Sequence, residues 1–177
     1  MKKISTPLSQ KAIAKLEAGD MVLLSGAIYT ARDQAHALIA AALKNGRRLP
    51  FDLAGQAIYF CGPTKTRPGF VIGSCGPTTS RRMDAFSPTL LKAGLSAMIG
   101  KGDRSPEVIR ALKKYHAVYF LAYAGCGALI SRYVRSSRVI AYPALGPEAI
   151  YRLEVCDLPL IVGADSAGRN LYAGMKL

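Results

Sequence analysis

The chain is 177 residues long, half of them hydrophobic, and its 24 Lys+Arg against 11 Asp+Glu leave a net charge of +13. That length predicts one domain over residues 1–177 with a full core, and the charge asks for a negative partner: nucleic acid, an anionic small substrate or a more acidic subunit. Composition excludes a membrane-spanning helix, since no run approaches ~20 apolar residues, and a disulfide framework, since Cys61, Cys75, Cys126 and Cys156 are widely spaced with no C-x-x-C pair.

The N-terminal MKKISTPLSQK has no apolar run of signal-peptide length, which predicts a cytoplasmic protein with reduced thiols. LSQKAIAKLEA (8–18) sets Leu8, Ala12, Ile13 and Leu16 at helical spacing, with Gly19 to end the helix. MVLLSGAIYT (21–30) reads as a buried strand, and AHALIAAALKNG (35–46) as an Ala/Leu-rich helix stopped by Asn45-Gly46. AIYFCG (57–62) and FVIGSCG (70–76) flank the turn-rich PTKTRPG and are expected to pair as a hairpin-like unit. Ser87-Pro88 reads as the N-cap and first-turn proline of a helix over TLLKA, ended by Gly94. LSAMIG is a short strand entering the glycine turn GKGD, and Ser105 caps a helix through Lys114. AVYFLAY (117–123) is a strand leading into the Gly-rich helix entry AGCGALI. RVIAYPAL and LPLIVGAD complete the strands, with DSAGRN as a late turn. Alternation of this kind predicts an α/β fold with at least partly parallel strands.

Several familiar motifs fail on spacing. In GLSAMIGKGD (94–103) five residues, rather than four, separate Gly94 from Gly100, and Gly102 stands where a phosphate loop needs Ser or Thr. GCGALI lacks the third glycine of a dinucleotide fingerprint, and no G-x-S-x-G is present. His36 and His116 are the only histidines and neither lies at ligand spacing from a cysteine, so no metal site is expected in this chain. Basic residues are scattered from Arg47-Arg48 to Arg132, Arg135 and Arg138 without an aromatic platform, which leaves a nucleic-acid-binding module as the minor alternative. The Arg132 to Arg138 run reads as a solvated helix end or a subunit interface.

Three polar clusters remain, each placed by the prediction at a strand end, where α/β folds collect ligands. They are Thr30-Ala31-Arg32-Asp33 with His36 one turn on, Gly76-Pro77-Thr78-Thr79 with Arg81 and Arg82, and Gly100-Lys101-Gly102. Arginine meets a carboxylate bidentately, lysine between glycines is a point charge on an approachable backbone, and free helix-start amides near the threonines would add positive potential. The ordinary readings are an N-cap at Thr30 or Thr79, an Arg32–Asp33 ion pair and a satisfied structural histidine at His36. Together the clusters suit a small di- or polyacid.

The runs LLSGAIYTARDQAH (23–36), IYFCGPT (58–64), PGFVIGSCGPTTSRRMD (68–84), GLSAMIGKG (94–102) and LGPEA (145–149) resemble the C-terminal domain, or separate β subunit, of class I iron-sulfur fumarases and tartrate dehydratases. The resemblance spans nearly the whole chain in order. It implies a swivelling β/β/α-type fold with a mixed sheet, and a hydro-lyase interconverting fumarate and L-malate, with tartrate as the alternative substrate. It further implies a 4Fe-4S cluster held by an α subunit and none held by this chain, which would be inactive alone. A homodimer or an α2β2 assembly is equally compatible with the sequence. By similarity Arg32, Arg82 and Lys101 grip substrate carboxylates, Thr78 is the proton-abstracting base, and Asp33, His36 and Thr79 support them, His36 with a part in proton relay. Arg81 lies where the family is variable and is expected to face solvent or an acidic partner.

Overall fold

The computed structural model describes residues 1–174. Its hub is β2 (Met21–Thr30), which pairs parallel with β1 (Lys2–Ser5) and β3 (Ala57–Tyr59) and antiparallel with β7 (Ile150–Ala164). From β3 the sheet continues parallel through β4 (Ala97–Gly100) and β5 (Val118–Leu121), then antiparallel through β7 to β6 (Val134–Ala141). The β2–β7 pairing closes β2, β3, β4, β5 and β7 into a barrel-like ring. The fold is therefore mixed α/β, as the alternation and the resemblance implied.

Side-chain alternation divides the core in two. Ala57 and Tyr59 of β3, Ala97 and Ile99 of β4, and Val118 and Phe120 of β5 join Val22, Leu24 and Ile28 of β2 and Leu153, Leu160 and Val162 of β7 in one buried cluster. Ile58, Met98 and Tyr119, the intervening residues, meet the helices in a second cluster. Those helices are α2 (Asp33–Lys44), α3 (Ser87–Lys92) and α4 (Pro106–Tyr115), which bury Ile39, Leu90 and Leu112 respectively. Two shorter helices, α1 (Gln10–Ile13) and α5 (Gly127–Ile130), complete the set.

The structure departs from several expectations. The run 70–76 is no strand, and no hairpin forms, because β3 is already flanked on both sides by β2 and β4. The segment instead runs across the ring, with the Tyr59 hydroxyl donating to the Cys75 carbonyl at 2.5 Å and Cys75 N–H donating to the Gly127 carbonyl at 3.1 Å. Ser87 does not cap α3; it lies inside the helix and its hydroxyl donates to the Met83 carbonyl. Ser105 does cap α4, accepting from Val108 N–H. The strand β7 is far longer than LPLIVGAD: a bulge at Asp157, where φ is 51° and the amide donates to Ser25 Oγ, lets it run on through Pro159. At Gly26 (φ 103°) an added Cβ would lie 2.6 Å from Thr6 Oγ1, so glycine is required where the chain entering from β1 crosses β2.

Candidate functional site

Because β2, β3 and β4 are parallel, their carboxyl ends face one way, and the polar clusters gather there. The first cluster leaves β2. Thr30 is buried and structural, donating to the Ala149 carbonyl and accepting from Tyr151 N–H, so it caps nothing. Arg32 occupies the N-cap position of α2 without a side-chain capping bond, and its guanidinium lies against Gly62. A Cβ at position 62 would stand 3.0 Å from Arg32 Nη1 and 2.9 Å from the Pro147 carbonyl, so Gly62 is what makes room for the arginine.

Arg32 Nε is buried with no hydrogen-bond partner. Its nearest carboxylates are ion-pair neighbours only: Asp33 Oδ2 lies 3.9 Å from Nε and Glu148 Oε1 lies 3.8 Å from Nη2. Buried donors of this kind are rare, and a missing acceptor is the natural account. Asp33 makes its short contacts with Arg82 instead, in a bidentate pair, Nε to Oδ1 and Nη2 to Oδ2, both 2.9 Å, and among the described residues Nη1 of Arg82 has no partner.

The second cluster follows no strand of its own; the loop from Gly62 carries it to the ends of β3 and β4. Thr78 N–H donates to the Phe60 carbonyl at 2.6 Å, and Thr79 bridges in parallel to Lys101, with Ser80 N–H donating to the Lys101 carbonyl at 2.9 Å. Thr79 holds the N-cap position of the 3-10 helix Ser80–Met83 but makes no capping bond, and the first amide of that turn is already taken by Lys101. Of the expected free helix-start amides, that of Ser80 is thus committed to Lys101 and that of Arg82 to the Thr79 carbonyl. Among the described residues, Lys101 makes no ion pair and the Thr78 hydroxyl makes no hydrogen bond, so both groups are available to a ligand.

His36 is set apart from this surface. It is fully buried against Phe60 and Phe86, its Nδ1 lies 2.9 Å from the Arg32 carbonyl, and Nε2 has no partner. Burial, against a weaker opposing pull from its bond to Arg32, pushes its pKa down to about 4. The ring is neutral above that value and positions the start of α2; this geometry gives no support to a proton relay.

Four residues that sequence reasoning passed over support the site: Tyr119, Ser80, Arg104 and Glu148. The Tyr119 hydroxyl donates to the Gly102 carbonyl and lies 2.8 Å from Ser80 Oγ, which must then be the donor to it. This clamp holds both flanks of Lys101, and Gly100 is needed beside it because a Cβ there would collide with Ser80 Oγ. Beneath it Arg104, 2% exposed, pairs with Asp84 at 2.7 Å and lies over the Phe60 and Tyr119 rings at 5.3 and 4.9 Å. Glu148, within the quoted LGPEA but given no role, accepts from Gln34 N–H at 2.9 Å and closes the site beside Arg32. No local signal marked these residues: a serine after two threonines and an arginine after GKGD look like ordinary surface.

No group of three His, Cys, Asp or Glu among the described residues could hold a metal. Cys61 and Cys75 lie in the core, where hydrogen bonding to Cys75 and burial push the Cys61 thiol well up. No described helix is long and apolar enough to cross a membrane.

Comparison with known proteins gives a consistent picture. The sequence model of the family described as Fumarase C-terminus matches residues 2–175. A Methanocaldococcus jannaschii protein named "Putative L(+)-tartrate dehydratase subunit beta" is 43% identical over 171 residues, 93% of this chain and 88% of that one. The Escherichia coli L(+)-tartrate dehydratase subunit beta is 33% identical, covering 99% of this chain and 89% of its own. The aerobic class I fumarate hydratase of Escherichia coli is 35% identical over all of this chain, which spans only 32% of that protein.

Proposed function

The chain belongs to the Fumarase C-terminus family, and from that membership we propose that it is the β subunit of a heteromeric hydro-lyase that adds water to, or removes it from, a dicarboxylate. Fumarate and L-malate are the first substrates, and tartrate is the second reading, favoured by the two relatives matched over 88% and 89% of their length, both named tartrate dehydratase subunit beta. The observation that carries the proposal is the buried Arg32 Nε, without a partner among the described residues, at the carboxyl end of β2, with Lys101 and Thr78 at the ends of the neighbouring parallel strands. A carboxylate oxygen is the acceptor that Arg32 lacks.

In this reading Arg32 and Lys101 bind the carboxylates, and Arg82, held in register by Asp33, presents Nη1 to the substrate. Thr78 takes the proton next to a carboxylate. An alcohol is a poor base, so the reaction depends on cations that stabilise the alkoxide and the charge gathering on the carboxylate as the proton leaves. A 4Fe-4S cluster belongs, on this proposal, to an α subunit, because Cys61 and Cys75 adjoin but among the described residues no third ligand joins them.

The test is anaerobic reconstitution with the cognate α subunit, assayed with fumarate, malate and tartrate. The chain alone is expected to be inactive and the pair active. Thr78→Ala should lower kcat by about 10²–10⁴-fold, and Arg82→Ala or Lys101→Ala by about 10²–10³-fold. Full activity in Thr78→Ala would remove the threonine from the mechanism.

A further inference from the structure

A second cationic feature is built from residues other than those of the strand-end site. The loop 64–74 and the segment 128–135 enclose a hollow of about 610 Å³. Lys65 and Arg67 stand on one wall and Arg132 and Arg135 on the other, and no carboxylate lines it. None of these four cations makes an ion pair among the described residues. At its rim Phe70 is 67% exposed and Val71 49% exposed, and Leu129, in the facing segment, is 51% exposed.

The hollow is preformed. Thr64 N–H donates to the Ser74 carbonyl and Ser74 N–H to Thr64 Oγ1, both 2.9 Å, which cinches the loop at its base. The Cys75–Gly127 bond ties one wall to the other. Four unpaired cations on the walls and exposed bulky apolar groups at the rim describe half of a protein interface: apolar anchors flanked by charge, with an acidic partner to match. A nucleic-acid backbone needs a cationic track, whereas Phe70 and Val71 offer it nothing to hydrogen-bond.

We propose that this groove is the docking surface for an acidic, apolar-anchored segment of the cluster-bearing subunit. The inference rests on the functional reading above and extends it. The same loop that presents Phe70 and Val71 runs within a few residues to Cys75 and Thr78, so seating the partner here also fixes the segment that carries the base. This chain spans only 32% of the aerobic class I fumarate hydratase of Escherichia coli, so most of that polypeptide lies outside the matched region.

The experiment is an anaerobic binding titration of the chain with its cognate α subunit at low and high salt, with circular dichroism to verify folding. Arg132→Glu/Arg135→Glu and, on the opposite wall, Lys65→Glu/Arg67→Glu are each expected to weaken association at least about tenfold and to flatten its salt dependence. Phe70→Ala should weaken it while leaving the salt dependence intact. At saturating α subunit, kcat of each assembled variant should equal that of the wild type. Wild-type affinity in both charge-reversed variants overturns the proposal, as does failure of the wild-type chain to associate. A short single-stranded RNA bound through the same four residues, with α-subunit binding untouched, also overturns it. A wild-type pair that associates but catalyses nothing sinks the hydro-lyase reading alone, and weakened association of the variants still supports the groove.

Discussion

His36 shows how far a single residue can be read from its neighbours in sequence. TARDQAH places it one turn beyond Asp33, close enough in sequence to suggest a part in the site, yet helix rotation turns it inward against Phe60 and Phe86. Its neutral, buried ring has a consequence for stability. The unfolded state binds a proton near pH 6.5 and the folded state only near pH 4, so stability is fully present above 6.5 and falls as pH drops toward 4. Between pH 7 and 5 this contributes a loss of about 2 kcal/mol. His36→Asn keeps a donor near the Arg32 carbonyl and removes the titration, and its urea-unfolding free energy should vary less between those two pH values than that of the wild type. Arg32 and Lys101 were legible by type and place. The Asp33–Arg82 pair was not, because a bidentate contact between residues 49 positions apart depends on where the 62–79 loop lands.

At the scale of elements, β2 and the capped start of α4 follow their local patterns closely, since alternation and an N-cap serine act within a few residues. The segment 70–76 fails because its β-like composition competes with partners already in place on both sides of β3. The connection from β4 into α4 carries the heaviest polar load. Arg104 donates to Asp84 and Ser87, and Asp84 also accepts from Ser105 N–H. Arg104→Met should cost about 3–5 kcal/mol in chemical denaturation, because it strands the Asp84 carboxylate in a largely buried position. Tyr119→Phe should cost about 1–3 kcal/mol by leaving Ser80 and the Gly102 carbonyl unpaired. In the reconstituted enzyme its KM for dicarboxylate should rise while Arg104→Lys, which keeps the charge, stays closer to wild type.

The whole molecule is organised by ring closure. With β7 pairing to β2, β5 and β6, the strands that bear the site are locked from both ends of the chain. Amides within β2 and the β2-facing side of β7 should therefore exchange hydrogen only through global unfolding, whereas the outer edge of β6, which among the described residues has no strand beyond it, should exchange far faster in a native-state measurement. Sequence by itself determined the α/β class, the strands β2, β4 and β5, and the presence of cations and a hydroxyl near strand ends. Those are properties of periodicity and side-chain type, and both are local. Tertiary structure alone decided that β7 closes the sheet on β2, that Arg32 Nε is left without an acceptor, that Tyr119 and Ser80 clamp Lys101, and that His36 points inward. Each depends on contacts between segments tens of residues apart, which no local pattern encodes.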